Sequence, residues 1–192
     1  MSFFRVLFLV FMAATLSACG GKSIWATDEA VAQRSYKSPE APYLMLKSMI
    51  NNRTGSGGHA SLVINAPSQL VMYDPAGRWF HSWAPERNDV LFGMQPALMA
   101  QYDSFHARDT HHVVSQKIYV TPEVAQKALQ LAFAKGPSPD GLCANNVSSL
   151  LRELQGFGGI KQTYFPAKLM REFAELQGVE TTKHFENDVG QN

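Results

Sequence analysis

GHASLVIN at residues 58–65 is the stretch that most restricts the fold. Successive side chains of a strand point to opposite faces, so Ala60, Leu62 and Ile64 share one face. That apolar face predicts a core, and His59 belongs to the opposite, smaller and more polar face. A strand histidine taken alone is more often a surface or hydrogen-bonded residue than a catalytic one. The stretch therefore predicts a strand whose histidine needs a partner elsewhere in the chain.

Other strands and helices flank this stretch. Apolar residues alternate in several short runs that are separated by Gly, Pro and Asn. Thr121 suits an N-cap and Pro122 a first helical turn, while Gly136 suits a helix end. Strands are predicted at 43–50, 69–74 and 111–120, and helices at 95–102, at 121–135, from 143 onward and at 166–176. Together they predict an α+β fold: a small antiparallel sheet of four or more strands with packed helices.

The N-terminus has the organisation of a secretory signal. Arg5 precedes an apolar run at 6–16, which is too short to span a bilayer. The run ends in LSAC at 16–19, which resembles the bacterial lipobox, where lipid is attached to the cysteine and the signal is cut just before it. An ordinary signal peptide with small residues at its cleavage site is the alternative. The lipobox resemblance implies lipid, including palmitate, on Cys19. More than one acyl chain would anchor the protein stably in a membrane.

The same pattern predicts location and domain limits. Gly20, which is not Asp, indicates the outer membrane in the lipoprotein sorting pattern, with the protein facing the periplasm of a bacterial cell envelope. Residues 1–18 form the signal peptide, and 19–42 form a lipidated N-terminus and tether with one helical turn around 28–33. Residues 43–178 form the domain, and 179–192 a loose tail. A chain of 192 residues is long enough for one domain with a real core.

Charge argues against one class of partner. The chain has 17 Lys and Arg against 16 Asp and Glu, which gives a net charge of +1. This balance creates no long-range field that would gather nucleic acid. Trp79, Phe80 and Trp83 therefore indicate a core or cleft wall rather than a stacking platform for bases. We expect no nucleic-acid partner.

Cys143 is the candidate nucleophile. The chain has two cysteines, so lipid on Cys19 leaves Cys143 without an intramolecular partner, which is a reason to consider a reactive thiol. The spacing to Val147 places its sulfur on the apolar face of a helix, at the helix N-terminus. Free backbone N–H groups and the positive dipole end lower a thiol pKa there and can hold an oxyanion. A small buried side chain that begins the core stripe is an equally weighted alternative.

Asp74 is the candidate for orienting His59. It ends the predicted strand at 69–74, so its face depends on the hairpin between the two strands. An even number of loop residues places Asp74 on the face of His59, and an odd number places it on the other. Asp74 as a plain turn residue before Pro75 is the alternative. The sequence leaves both interpretations open.

These motifs resemble the circularly permuted NlpC-type papain-like superfamily of cysteine hydrolases, which includes the lecithin:retinol acyltransferase-like enzymes. The likeness covers roughly residues 43–175. It depends on the histidine strand at 58–64, on CANNV at 143–147 opening a helix, and on YFPAKLM at 164–170. The resemblance implies that Cys143 is the nucleophile, His59 the general base and Asp74 the third polar residue.

Compartment and resemblance together imply an envelope thiol hydrolase of the amidase or endopeptidase type, which acts by acyl transfer on peptidoglycan peptides. One alternative is a lipid-directed acyl hydrolase or acyltransferase, and another is a non-catalytic envelope lipoprotein with a binding or scaffolding role. No cofactor is expected. A metal site is disfavoured, because no helical histidine pair occurs and the neighbours His111 and His112 point to opposite faces of a strand. The other histidines considered for a metal site are His81 and His106.

Overall fold

A computed structural model describes Gly21 and residues 23–189. The strands are β1 (Tyr43–Asn51), β2 (Gly57–Asn65), β3 (Leu70–Tyr73), β4 (Glu86–Arg87), β5 (Val90–Phe92), β6 (His111–Tyr119) and β7 (Glu180–His184). The helices are α1 (Asp28–Arg34), α2 (Pro96–His106), α3 (Pro122–Ala134), α4 (Cys143–Leu151) and α5 (Pro166–Ala174). The seven strands form one antiparallel sheet in the order β4-β5-β3-β2-β1-β6-β7. This arrangement confirms the predicted α+β class.

One face of the sheet carries the main core. Leu44 and Leu46 of β1 lie beside Leu62 and Ile64 of β2, and all four side chains are fully buried against α3, α4 and α5. Burying an aliphatic side chain of this size contributes about 1.5–3 kcal/mol to folding. The face predicted from the alternation of 58–65 is therefore the face against which the helix of Cys143 packs.

The opposite face carries a second apolar cluster under α2 and the segment 78–95. Met49, Val63 and Met72 of the sheet belong to this cluster together with Trp79 and Tyr102. The face that contains His59 is thus covered by protein rather than left open. Tyr102 extends from α2 toward β2, so its phenol hydroxyl lies close to the predicted site residues.

A buried ion pair fixes α2 on this second face. Lys47 of β1 is 2% exposed, and its Nζ lies 2.7 Å and 2.8 Å from the two carboxylate oxygens of Asp103. Ser115 of β6 accepts a third hydrogen bond from Lys47 at 3.1 Å. Burial lowers the pKa of Lys47, while Asp103 opposes that shift. The pair locks the position of α2 relative to β1 and β6.

The strands and helices predicted from periodicity are present, with ends that shift by a few residues. Thr121 caps α3, since its side chain accepts a hydrogen bond from the N–H of Val124 and Pro122 occupies the first turn. The helix predicted from Cys143 begins at that residue. The predicted turn at 28–33 is α1, where Thr27 is the N-cap.

The loose tail predicted for 179–192 is wrong over its first part. Residues Glu180–His184 form β7 and pair antiparallel with β6, from Lys117 opposite Glu180 to Val113 opposite His184. All five residues of β7 are exposed and polar in character, so no apolar alternation marks them as a strand. Backbone pairing to the open edge of β6 orders this segment instead of core packing.

A hairpin lies at 86–92, where the sequence predicts no strand. β4 and β5 are joined by Asn88 and Asp89, which have φ values of 45° and 67°. Two positive φ values define the tight turn that matches the twist of a two-residue hairpin, and Asn and Asp tolerate it. The strands were missed because two and three residues are too few to display a period.

The described part of the predicted tether contacts the sheet. Residues 23–36, which we call the N-terminal strap, form bridges from Trp25 to Arg87 and from Tyr36 to Leu70. These contacts lead the strap across the β4, β5 and β3 edge of the sheet. The predicted signal peptide at 1–18 and the predicted lipidation site Cys19 lie outside the described residues, as does Gly20. Among the residues that are described, no helix has the length and apolar character needed to cross a membrane.

Candidate active site

His59 and Asp74 lie on the same face of the sheet. The loop between β2 and β3 has four residues, 66–69, which is an even number, and Leu62 pairs with Tyr73. This register directs Asp74 toward His59, and the Nε2 atom of His59 lies 2.7 Å from Oδ1 of Asp74. The even length of this loop therefore places Asp74 on the face of His59, which is one of the two alternatives that the sequence left open.

Asp74 is held from two further sides. Its Oδ1 lies 2.7 Å from the hydroxyl of Tyr102, which in turn lies 3.0 Å from the hydroxyl of Ser61. The phenol has one proton, and a carboxylate only accepts, so Tyr102 donates to Asp74. On the turn side, a Cβ at Gly77 would stand 2.0 Å from Oδ2 of Asp74, so a glycine is required for this approach. Asp74 is thus fixed in one orientation beside His59.

Cys143 occupies the first position of α4. It is a free thiol and 6% exposed. Leu142, the N-cap, makes no side-chain hydrogen bond, so the N-terminal amides of α4 are open to the sulfur. Gly141 has φ 80°, a conformation that a glycine adopts freely and that turns the chain into the helix.

Three donors converge on the sulfur. The ring of His59 and the backbone N–H groups of Ala60 and Ala144 all act on the thiol of Cys143 and lower its pKa. Ala60 is available because β3 pairs with β2 only from Leu62 onward, so β2 lacks a strand on that side at Ala60. Since Asp74 occupies Nε2 of His59, Nδ1 is the ring nitrogen left for the thiol. The site therefore forms where β2 and β3 diverge and the tip of α4 fills the gap.

The electrostatics favour a charge-separated pair. Burial alone raises the pKa of Cys143, but the hydrogen bond and charge of His59, with the two backbone N–H groups, outweigh it and lower that pKa. Burial alone lowers the pKa of His59, but Asp74, with a smaller contribution from Cys143, raises it to about 10. Both directions favour thiolate beside imidazolium over the neutral pair.

Asp74 supplies the compensating negative charge. Burial raises the pKa of Asp74, but the charge and hydrogen bond of His59 and the hydrogen bond from Tyr102 lower it below the usual carboxyl value. The pKa of Tyr102 lies well above the usual phenol value, because Tyr102 is buried beside the charge of Asp74. Tyr102 therefore keeps its proton and remains a donor to an ionised Asp74.

Asp89 connects the two loops that carry the site. Its carbonyl accepts a hydrogen bond from the N–H of Asp74 at 2.7 Å. Its Oδ2 accepts from the N–H of Ser138 at 2.7 Å and from that of Ala76 at 3.4 Å. Ser138 lies five positions before Cys143, so Asp89 ties the turn after β3 to the loop before α4.

His106 stacks on His59 at the end of α2. Their ring centroids are 5.9 Å apart, with an interplanar angle of 11°. The Nδ1 atom of His106 lies 2.9 Å from the carbonyl oxygen of Tyr102. Burial lowers the pKa of His106, so it is a neutral ring at neutral pH and adds no charge that competes with His59.

The site brings together all three predicted residues, Cys143, His59 and Asp74. Tyr102, Asp89 and His106 were missed as site residues, since α2 and the hairpin approach from parts of the chain that carry no motif. The two-residue turn at Asn88–Asp89 was the one available signal for Asp89. Among the described residues, no group of three His, Cys, Asp or Glu side chains is arranged to hold a metal ion.

In comparisons with protein-family models, curated proteins and solved structures, none matched the chain.

Proposed function

We propose that the protein is a cysteine hydrolase of the amidase or endopeptidase type. One observation carries the proposal: a thiol at a helix N-terminus has its pKa lowered by a neighbouring histidine, which a buried aspartate orients. Nucleophile, base and orienting group in this order are the arrangement that activates a thiol for acyl transfer. Free cysteines that only fill a core have no reason to meet a charged histidine.

The chemistry follows from the charge state of the pair. The thiolate of Cys143 attacks the carbonyl carbon of an amide, and the carbonyl oxygen becomes an oxyanion near the N–H groups of Ala60 and Ala144. His59 then donates its Nδ1 proton to the leaving nitrogen as the carbon–nitrogen bond breaks, which leaves an acyl-enzyme thioester. Neutral His59 next takes a proton from water, whose oxygen attacks the thioester. Release of the acid restores the thiolate and the imidazolium.

The expected compartment supports peptidoglycan peptides as the substrate class. A lipid anchor on Cys19, which we include in the proposal, would hold the domain at the outer membrane and within reach of the cell wall. Stem peptides contain amide bonds with exposed carbonyl groups, which suit attack by a thiolate.

The proposal is tested with purified sacculi and the variants Cys143→Ala and His59→Ala. We expect peptide release by the wild type and a loss of release to background in both variants, with thermal unfolding unchanged in Cys143→Ala. His184→Ala is the matched control, because His184 lies on the exposed edge strand β7. Equal release by wild type and Cys143→Ala would end the proposal for this substrate class and would favour a binding or scaffolding role.

A lipid-directed acyl hydrolase or acyltransferase is the second candidate, and the loop after β3 supports it. Phe80 is 82% exposed, and the nearby Arg78 pairs with Asp140 in the loop that precedes Cys143. An exposed aromatic ring in this loop suits an apolar substrate, although Trp79 itself is buried in the second core. Cleavage of acyl esters in vesicles by the wild type, with no release from sacculi, would favour this candidate.

A further inference from the structure

The described chain begins against the loop that leads to Cys143. The backbone of Gly21 packs on that loop so closely that a Cβ at Gly21 would stand 2.4 Å from the carbonyl oxygen of Ser138. Two residues later, the hydroxyl of Ser23 donates to the side-chain oxygen of Asn88 at 3.0 Å. The N–H of Asn88 donates to the carbonyl of Ile24 at 3.0 Å. The start of the strap is therefore fixed beside the β4–β5 turn.

This placement limits where an N-terminal lipid can be. Cys19 precedes Gly21 by two positions. An extended chain covers at most about 3.6 Å per residue, so two residues span about 7 Å. Lipid on Cys19 would therefore enter a bilayer close to Ser138, rather than at the end of a long free tether.

An exposed apolar surface lies at the same place. Ile24 is 41% exposed, Trp25 66% and Phe133 45%; we call these three residues the N-terminal patch. Trp25 and Phe133 also line one cavity of about 360 Å³ together with Val31 and Phe92. Cys143 and His59 are absent from the lining of this cavity, so it is separate from the site described above.

The patch has the chemistry of a membrane interface. Trp prefers the boundary between acyl chains and headgroups, because its ring is apolar and its N–H is polar. The guanidinium carbon of Arg87 lies 4.9 Å from the centroid of the Trp25 ring, and the same guanidinium pairs with Asp28, so Arg87 holds the ring in place at the surface. An aromatic residue, a basic residue and the adjacent lipid attachment point thus share one side of the domain.

We propose that the N-terminal patch inserts into the acyl-chain boundary of the membrane that holds the lipid anchor. This inference rests on the proposed lipidation of Cys19 and not on hydrolase activity. Insertion fixes the orientation of the domain, so that the loop before Cys143 faces the membrane surface. A protein held only by a flexible lipidated tether would present no fixed side to the bilayer.

The experiment uses the full-length lipidated protein in phosphatidylethanolamine and phosphatidylglycerol vesicles whose acyl chains carry bromine, which quenches tryptophan fluorescence on contact. Trp25→Phe tests the patch, and Trp83→Phe is the matched control, because Trp83 is also exposed but contacts Arg34 at the other end of α1. We expect quenching in the wild type, its loss in Trp25→Phe and its retention in Trp83→Phe. Phe133→Gln should weaken the quenching of Trp25, whereas Phe185→Gln, on the β7 side, should not.

The outcomes separate the inference from the proposed function. Cys143→Ala should be quenched like the wild type, whether or not peptide release is observed. Absence of quenching in the wild type, or equal quenching in wild type and Trp25→Phe, would overturn the inference. Failure of the protein to incorporate labelled palmitate, with no vesicle binding, would overturn it together with the anchor but leave the hydrolase proposal standing.

Discussion

The charge that Asp74 presents to His59 sets the state of the thiol. Asp74 is the largest source of the upward shift in the pKa of His59, and Tyr102 keeps that carboxylate ionised and oriented. A neutral group of the same shape at position 74 would preserve packing and remove the charge. Orientation and charge can therefore be separated by experiment.

Asp74→Asn should lower kcat/KM by about 100-fold or more, the usual size of an acid–base contribution. The loss of charge lowers the pKa of His59, so the imidazolium loses its proton at a lower pH. The alkaline limb of the pH profile, expected near pH 10 in the wild type, should therefore move toward neutral pH. The measurement is the pH dependence of kcat/KM on a peptide substrate. An unchanged alkaline limb would show that Asp74 does not control His59.

The site depends on where β3 ends and where α4 begins, as well as on the residues that these two elements carry. β3 stops pairing with β2 at Tyr73 opposite Leu62, and the turn that follows folds back over Asp74. α4 begins in the resulting gap. A change in this turn should therefore disturb the site while leaving the sheet in place.

Gly77→Ala should displace Asp74 without unfolding the sheet. The added Cβ would stand 2.0 Å from Oδ2 of Asp74, so the carboxylate must shift away from its position beside His59. We expect a lower kcat and a downward shift of the alkaline limb, measured alongside thermal unfolding to confirm that the domain stays folded. Gly158→Ala is the control, since a Cβ there meets no atom within 4 Å. Equal activity of the two variants would contradict the role given to this turn.

Elements whose burial imposes a period, or whose ends carry a cap, can be predicted from the sequence. The alternation of 58–65 and the Thr121 cap are examples, and both predict the observed elements. β7 was missed because an exposed edge strand needs no apolar side chains. β4 and β5 were missed because they are short. Backbone pairing, rather than an apolar period, marks these three strands, and local sequence does not encode the pairing partner.

The whole fold is what brings the site together. Cys143 and His59 are 84 positions apart, and they meet because α4 packs on the face of β2 opposite the face that carries His59, at the end where β2 and β3 separate. Both residues could be predicted from the sequence, but the face of Asp74 depended on the length of the loop between β2 and β3, which has four residues. Tyr102 and Asp89 reach the site only through tertiary packing, so no local sequence pattern predicts them as site residues.

The most direct test of this account is the pH dependence of Cys143 alkylation by iodoacetamide, followed by peptide mapping, in the native protein and in urea. Because His59 and the N–H groups of Ala60 and Ala144 lower the thiol pKa only in the folded chain, the native thiol should react well below pH 8. Unfolding, or His59→Ala, should move the reaction to the higher pH of an ordinary thiol, whose pKa is about 8.5. A native thiol that is inert at neutral pH, or a profile that unfolding leaves unchanged, would contradict the activated pair.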